Sequence, residues 1–98
     1  MQIVNAKIVG TMLGLEDHGI FTYMIDLDYG GSSGQGFGGY SLGGEYTNKV
    51  ILGIMKTVGV ETWEKLRGNY VRVEIGDDGR IRRIGNLLED IWFNPSEI

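Results

Sequence analysis

Residues 20–44 read IFTYMIDLDYGGSSGQGFGGYSLGG, and the two halves of this stretch decide the fold. In Ile20–Asp28, Phe21, Tyr23, Ile25 and Leu27 alternate with Ile20, Thr22, Met24, Asp26 and Asp28. A period of two marks a half-buried strand, so the Phe21–Leu27 set is expected to face the core and the two aspartates to face away from it. In the second half, Gly30–Gly44, glycine occupies eight of fifteen positions. Glycine loses more backbone freedom on folding than any other residue and weakens a strand interior. A small domain has little stability to lose. The tract is therefore expected either to be a mobile loop or to let something approach the backbone closely.

Outward from this stretch, Ile3–Leu13 reads as a preceding strand of imperfect alternation. Glu16-Asp17-His18-Gly19 is the turn that makes the two a hairpin. Gln35–Leu42 fits a third strand, with Phe37 and Tyr40 as strand formers and glycine at bulges. Val50, Ile51, Ile54, Met55 and Val58 form an apolar stripe at helical spacing within Tyr46–Val58. Thr47 or Asn48 is the expected cap and Gly59 the stop, and Gly53 inside the stripe indicates close packing. Thr62–Leu66 allows a further helical turn, with Gly68 ending it. Asn69–Ile75 alternates again, with Val71, Val73 and Ile75 inward and Tyr70, Arg72 and Glu74 outward. Gly76-Asp77-Asp78-Gly79 turns it back into Arg80–Ile84. Leu87, Leu88, Ile91, Trp92 and Phe93 dock the tail on the core as a strand or short turn. The expected architecture is α+β: a mostly antiparallel sheet of five to six strands with one main helix on one face, in a single domain over residues 1–98.

Composition narrows the function. The 98 residues contain no cysteine, so neither a disulfide framework nor a thiolate metal site is available. No apolar run is long enough for a transmembrane helix, and Met1–Gly10 lacks the design of a signal peptide, so a cytoplasmic protein without membrane partners is expected. The net charge is −4, but unevenly placed: before Lys49, Lys7 is the only cation against Glu16, Asp17, Asp26, Asp28 and Glu45. That half repels a duplex phosphate backbone, so duplex nucleic acid is not an expected partner.

Gly34-Gln35-Gly36-Phe37-Gly38-Gly39 matches G-x-G-x-x-G, but no helix opens at its end and no larger α/β unit surrounds it. What survives is an N–H-rich tract able to cradle an anion. Arg80, Arg82 and Arg83, with Arg72 on the neighbouring strand, form the one basic cluster, and guanidinium forks suit phosphate. The candidate ligand-binding set is thus Ser33, Gly34, Gln35, Gly36, Phe37, Gly38, Tyr40, Arg80 and Arg82. In it, backbone contacts phosphate or ribose, the arginines neutralise charge, and Phe37 or Tyr40 stacks. His18 is the only histidine, and no nucleophile-plus-base pair stands out, so no catalytic residue, metal site or cofactor is assigned.

Glu16–Gly19, Gly34–Tyr40, Val58–Leu66, Ile84-Gly85-Asn86 and Trp92-Phe93-Asn94-Pro95 together resemble small uncharacterised proteins of bacteriophages and prophages. Phage genomes encode small counter-defence proteins, among them homo-oligomers that sequester nucleotide-derived immune signals without catalysis. The chain is similar to these in size, α+β content and lack of catalytic residues, and the similarity assigns no residue roles. The leading expectation is a non-enzymatic protein that captures a small anionic nucleotide-like signal at a homo-oligomer interface. A second is an inhibitor whose acidic face, carrying Asp26 and Asp28, engages a basic surface of a host protein. A third is a small nucleotide-acting hydrolase that uses His18.

Overall fold

The computed structural model describes all residues, Met1–Ile98. Six strands form one antiparallel sheet: β1 (Gln2–Glu16), β2 (Ile20–Gly30), β3 (Ser33–Ser41), β4 (Tyr70–Ile75), β5 (Ile81–Gly85) and β6 (Trp92–Phe93). The helix α1 (Gly44–Val58) joins β3 to β4, followed by a short 3-10 turn at Trp63–Lys65. The strand order is β3-β2-β1-β4-β5-β6. Three hairpin-linked strands, with a fourth that returns by a long connection to lie beside the first, make a Greek key. The α+β expectation holds, with one helix and a sheet of six strands.

The long β1 explains both the curl of the sheet and the imperfect alternation of its sequence. Its first half, Gln2–Lys7, pairs with β4, and Lys7–Glu16 pairs with β2. The register shifts between Ile8 and Gly10, leaving Val9 unpaired. One extra residue reverses the parity of the faces. Ala6 and Ile8 are buried before the bulge, whereas after it the odd-numbered Leu13 and Leu15, both exposed, stand opposite Tyr23 and Phe21.

The sheet bends far enough for its ends to meet. Phe37 of β3 packs edge-on against Phe93 of β6, with ring centroids 6.3 Å apart. Val50 and Ile54 of α1 complete a core with Tyr23, Ile25, Leu27, Val71, Val73 and Ile84. Gly53 lets α1 approach β6: a Cβ there would lie 3.0 Å from the Phe93 ring. Gly59 ends the helix in the left-handed conformation, as expected.

Two local expectations need correction. The helix begins at Gly44, and its cap position is Gly43 with no side-chain hydrogen bond, so Thr47 and Asn48 lie inside the helix. Arg72 does not lie beside Arg80 and Arg82. The β4–β5 register sets Arg72 opposite Gly85 and Glu74 opposite Arg83, and Arg80 precedes the strand in the turn.

Candidate functional site

Ser33–Ser41 of the glycine tract form strand β3, which sits at the edge of the sheet. Gly34 pairs with Asp28, Gln35 with Leu27, Gly36 with Asp26 and Phe37 with Ile25. Asp26 and Asp28 of β2 therefore share one face with Gly34 and Gly36 of β3, where glycines flank aspartates; the register shift between Thr22 and Met24 ends this alternation before Gly38. Asp26 has Gly36 on one side and Gly10 of β1 on the other. A Cβ at Gly10 would lie 3.0 Å from the Asp26 carboxylate, and one at Gly36 would lie 3.8 Å from it. The carboxylate consequently stands over the bare backbone of Gly10, while on its other side the Met24 thioether lies over Gly36. Asp28 accepts a 3.0 Å hydrogen bond from the Gly30 N–H, and neither aspartate is in an ion pair.

An open depression of about 490 Å³ runs over this face from Val9 to Ser33 and Gly36. Its only charged side chains are Asp26 and Asp28. Among the residues expected to bind a ligand, Ser33, Gly34, Gln35 and Gly36 line it. Phe37 does not: at 4% exposure it belongs to the core, because its side chain leaves β3 on the opposite side from Gly36, so it is not available for stacking. Gly38 packs its backbone against the Tyr23 ring, and Tyr40 is 51% exposed further along the strand.

Gln35 makes a connection that sequence reasoning missed. Its Nε2 donates to the Tyr29 hydroxyl (3.0 Å) and to the Gly79 carbonyl (2.9 Å), and its Oε1 accepts from the Ile81 N–H (3.2 Å). The side chain joins the edge strand β3 to the β4–β5 hairpin across the open seam of the curled sheet. It also brings Arg80, which lies between Gly79 and Ile81, next to the tract. Arg82 is turned elsewhere, over the Gly76 backbone and 3.8 Å from Asp78. The Arg80 N–H, with help from the Arg82 and Arg80 charges, holds the Asp78 carboxyl below its usual range.

The remaining candidates are placed simply. His18 sits with Asp17 in the β1–β2 turn, both in left-handed backbone, and makes no side-chain hydrogen bond. No group of three or more His, Cys, Asp or Glu side chains converges. Arg72 and Arg83 both lie against the Trp92 ring, 4.7 and 4.1 Å from its centroid. Trp92 lies flat over Gly85, where any Cβ would collide with it. The signal that pointed to this face and went unused was Gly10, an isolated glycine inside an apolar strand. Comparisons with protein-family models, curated proteins and solved structures find no match, so the phage-protein resemblance has no counterpart among them.

Proposed function

We propose that this chain is a non-enzymatic binding module whose β2–β3 face engages a basic surface of a partner protein. The observation that carries this reading is the sign of the charge along the face. Partly open Greek-key barrels of five strands take oligonucleotides or oligosaccharides across the β2–β3 face and the β1–β2 and β4–β5 loops. The likeness is one of architecture alone. In this chain the first two places carry Asp26 and Asp28, and Glu16 and Asp17, none of them in an ion pair, whereas the β4–β5 loop carries Asp77 and Asp78 paired with the Met1 ammonium and Arg82, beside Arg80. Phosphate is repelled from such a surface and a guanidinium or ammonium group is attracted. The bare Gly10 backbone beside Asp26 lets a flat guanidinium come within bidentate reach.

A second reading, capture of a small nucleotide-like anion, keeps one observation in its favour. The Gln35 bonds to the Gly79 carbonyl and the Ile81 N–H bring the chain at Arg80 beside β3, within the reach of a long side chain. Calorimetry with an arginine-rich peptide and with a panel of cyclic and linear nucleotides separates the two. Peptide binding that weakens with salt and is lost in Asp26→Asn/Asp28→Asn supports the first reading. Nucleotide binding lost in Arg80→Ala, with no peptide binding, replaces it with the second.

A further inference from the structure

Two surfaces beside α1 are complementary to each other and occupied by nothing within the chain. The first is a knob. In the β5–β6 connection Leu88 is 91% exposed, with Leu87 and Ile91 also exposed beside it. The knob is rigidly held. Asn86 Oδ1 accepts from the Leu88 and Glu89 N–H groups at 3.0 and 2.9 Å, and Asn86 Nδ2 donates to the Thr57 carbonyl at 3.0 Å. Arg72 donates to the Asn86 and Glu89 carbonyls at 2.8 and 2.7 Å. These bonds fix the backbone of the knob and leave the Glu89 carboxylate free, immediately next to Leu88.

The second surface is a groove of about 400 Å³ between α1 and the C-terminal segment. Leu52, 50% exposed, with Gly53 and Ile98 supplies its apolar lining, and Lys49 and Lys56 border it. The two lysines are seven residues apart, roughly 10 Å along the helix. The ion pairs of the chain are Met1–Asp77, Arg82–Asp78 and Arg83–Glu74, so neither lysine nor Glu89 has a charged partner.

We infer that a second copy of this chain covers the groove, with the Leu88–Glu89 knob of each protomer seated on the α1 groove of the other. The apolar parts match, the charges at their edges are opposite, and the Asn86–Thr57 bond puts the knob at the C-terminal end of the helix that carries the groove. A two-fold axis then makes both contacts at once, the geometry of an isologous dimer. Asp26 and Asp28 take no part, so the dimer presents two acidic faces.

Sedimentation velocity over a wide concentration range tests this. The wild-type protein is expected to show a concentration-dependent dimer. Leu88→Ser removes an exposed side chain that the fold does not use and is expected to raise the dimer Kd at least about tenfold. Lys49→Glu/Lys56→Glu and Glu89→Lys are each expected to be monomeric alone and to form a heterodimer when mixed, because mixing restores opposite charges at both contacts. A wild-type monomer at every concentration overturns the inference. So does a dimer indifferent to Leu88→Ser, or a mixture that fails to associate.

Discussion

The side chain of Gln35 accepts the Ile81 N–H at 3.2 Å, joining two strands that lie far apart in the order of the sheet. One amide thereby does what a strand ladder does in a closed barrel. In Gln35→Ala the part-buried Ile81 N–H and the Gly79 carbonyl lose this partner. An expected loss of about 1–2 kcal/mol follows from leaving such groups unpaired. The loss is local: hydrogen exchange at Ile81 is expected to accelerate more than exchange in the β1–β2 ladder. Uniform acceleration, or none, shows that the seam does not depend on Gln35.

Tyr23 presents the opposite situation. It is 0% exposed, and its hydroxyl has no hydrogen-bond partner. Removing an unpaired buried hydroxyl relieves its desolvation, so Tyr23→Phe is expected to stabilise the fold by about 1 kcal/mol rather than weaken it. Burial, with smaller contributions from Tyr46 and Tyr40, raises the Tyr23 pKa well above its ordinary value of 10.0. The folded state therefore holds this proton more tightly than the unfolded state. Its contribution is complete below pH about 10 and falls as the pH rises toward the folded-state value. Tyr23→Phe should flatten the alkaline limb of a stability-against-pH curve. A destabilised Phe variant would mean that the hydroxyl is satisfied in solution.

The glycines of β3 serve two different ends, and substitution separates them. Gly38 has φ +122°, and a Cβ there would lie 2.7 Å from the Tyr23 ring and 2.8 Å from the Tyr23 carbonyl. Gly38→Ala is expected to cost roughly 3 kcal/mol or more, because both the backbone conformation and the core must yield. At Gly36 the nearest atom is the flexible Met24 thioether, 2.8 Å from the added Cβ. Gly36→Ala is expected to fold with a cost below about 1 kcal/mol, while crowding the space beside Asp26 and weakening the basic-peptide binding proposed above. Urea denaturation and calorimetry on the two variants check the contrast.

These contrasts also show what the sequence could convey. The period-two pattern reported the core face over Tyr23–Leu27, since Tyr23, Ile25 and Leu27 all point inward, but not at its start, where Thr22 is buried and Phe21 only partly so. The bulge at Val9 was legible only as failed alternation, because an extra residue has no signature of its own. Phe37 was misread as a ligand contact because glycines on both sides hide which face a side chain takes. The curl of the sheet fixes that, and it depends on contacts between residues far apart in sequence, Gln35 with Ile81 and Phe37 with Phe93. The arginines were read by their spacing, yet the β4–β5 register decided which of them meet. The acidic character of the first half was visible from composition. Its concentration beside glycines of two other strands was not, because Gly10 and Gly36 flank Asp26 only once three strands have paired.

Arg83 tests whether the outer face of β4–β6 stabilises the fold. Its guanidinium lies 3.0 Å from the Glu74 carboxylate and packs on Trp92 at 4.1 Å. Glu74 is buried, so Arg83→Ala leaves a carboxylate without its partner and uncovers the indole. A loss of roughly 2–3 kcal/mol is expected, more than for Glu74→Gln, which keeps a neutral acceptor in place. Arg83→Lys should recover little of it, because an ammonium group cannot lie flat on the ring while reaching the carboxylate. The double variant Glu74→Met/Arg83→Met removes both charges and fills the space, and is expected to be more stable than Arg83→Ala alone. Chemical denaturation of the four variants gives the order. If Arg83→Lys matches the wild type, the pair acts through charge alone and the Trp92 contact contributes nothing to stability.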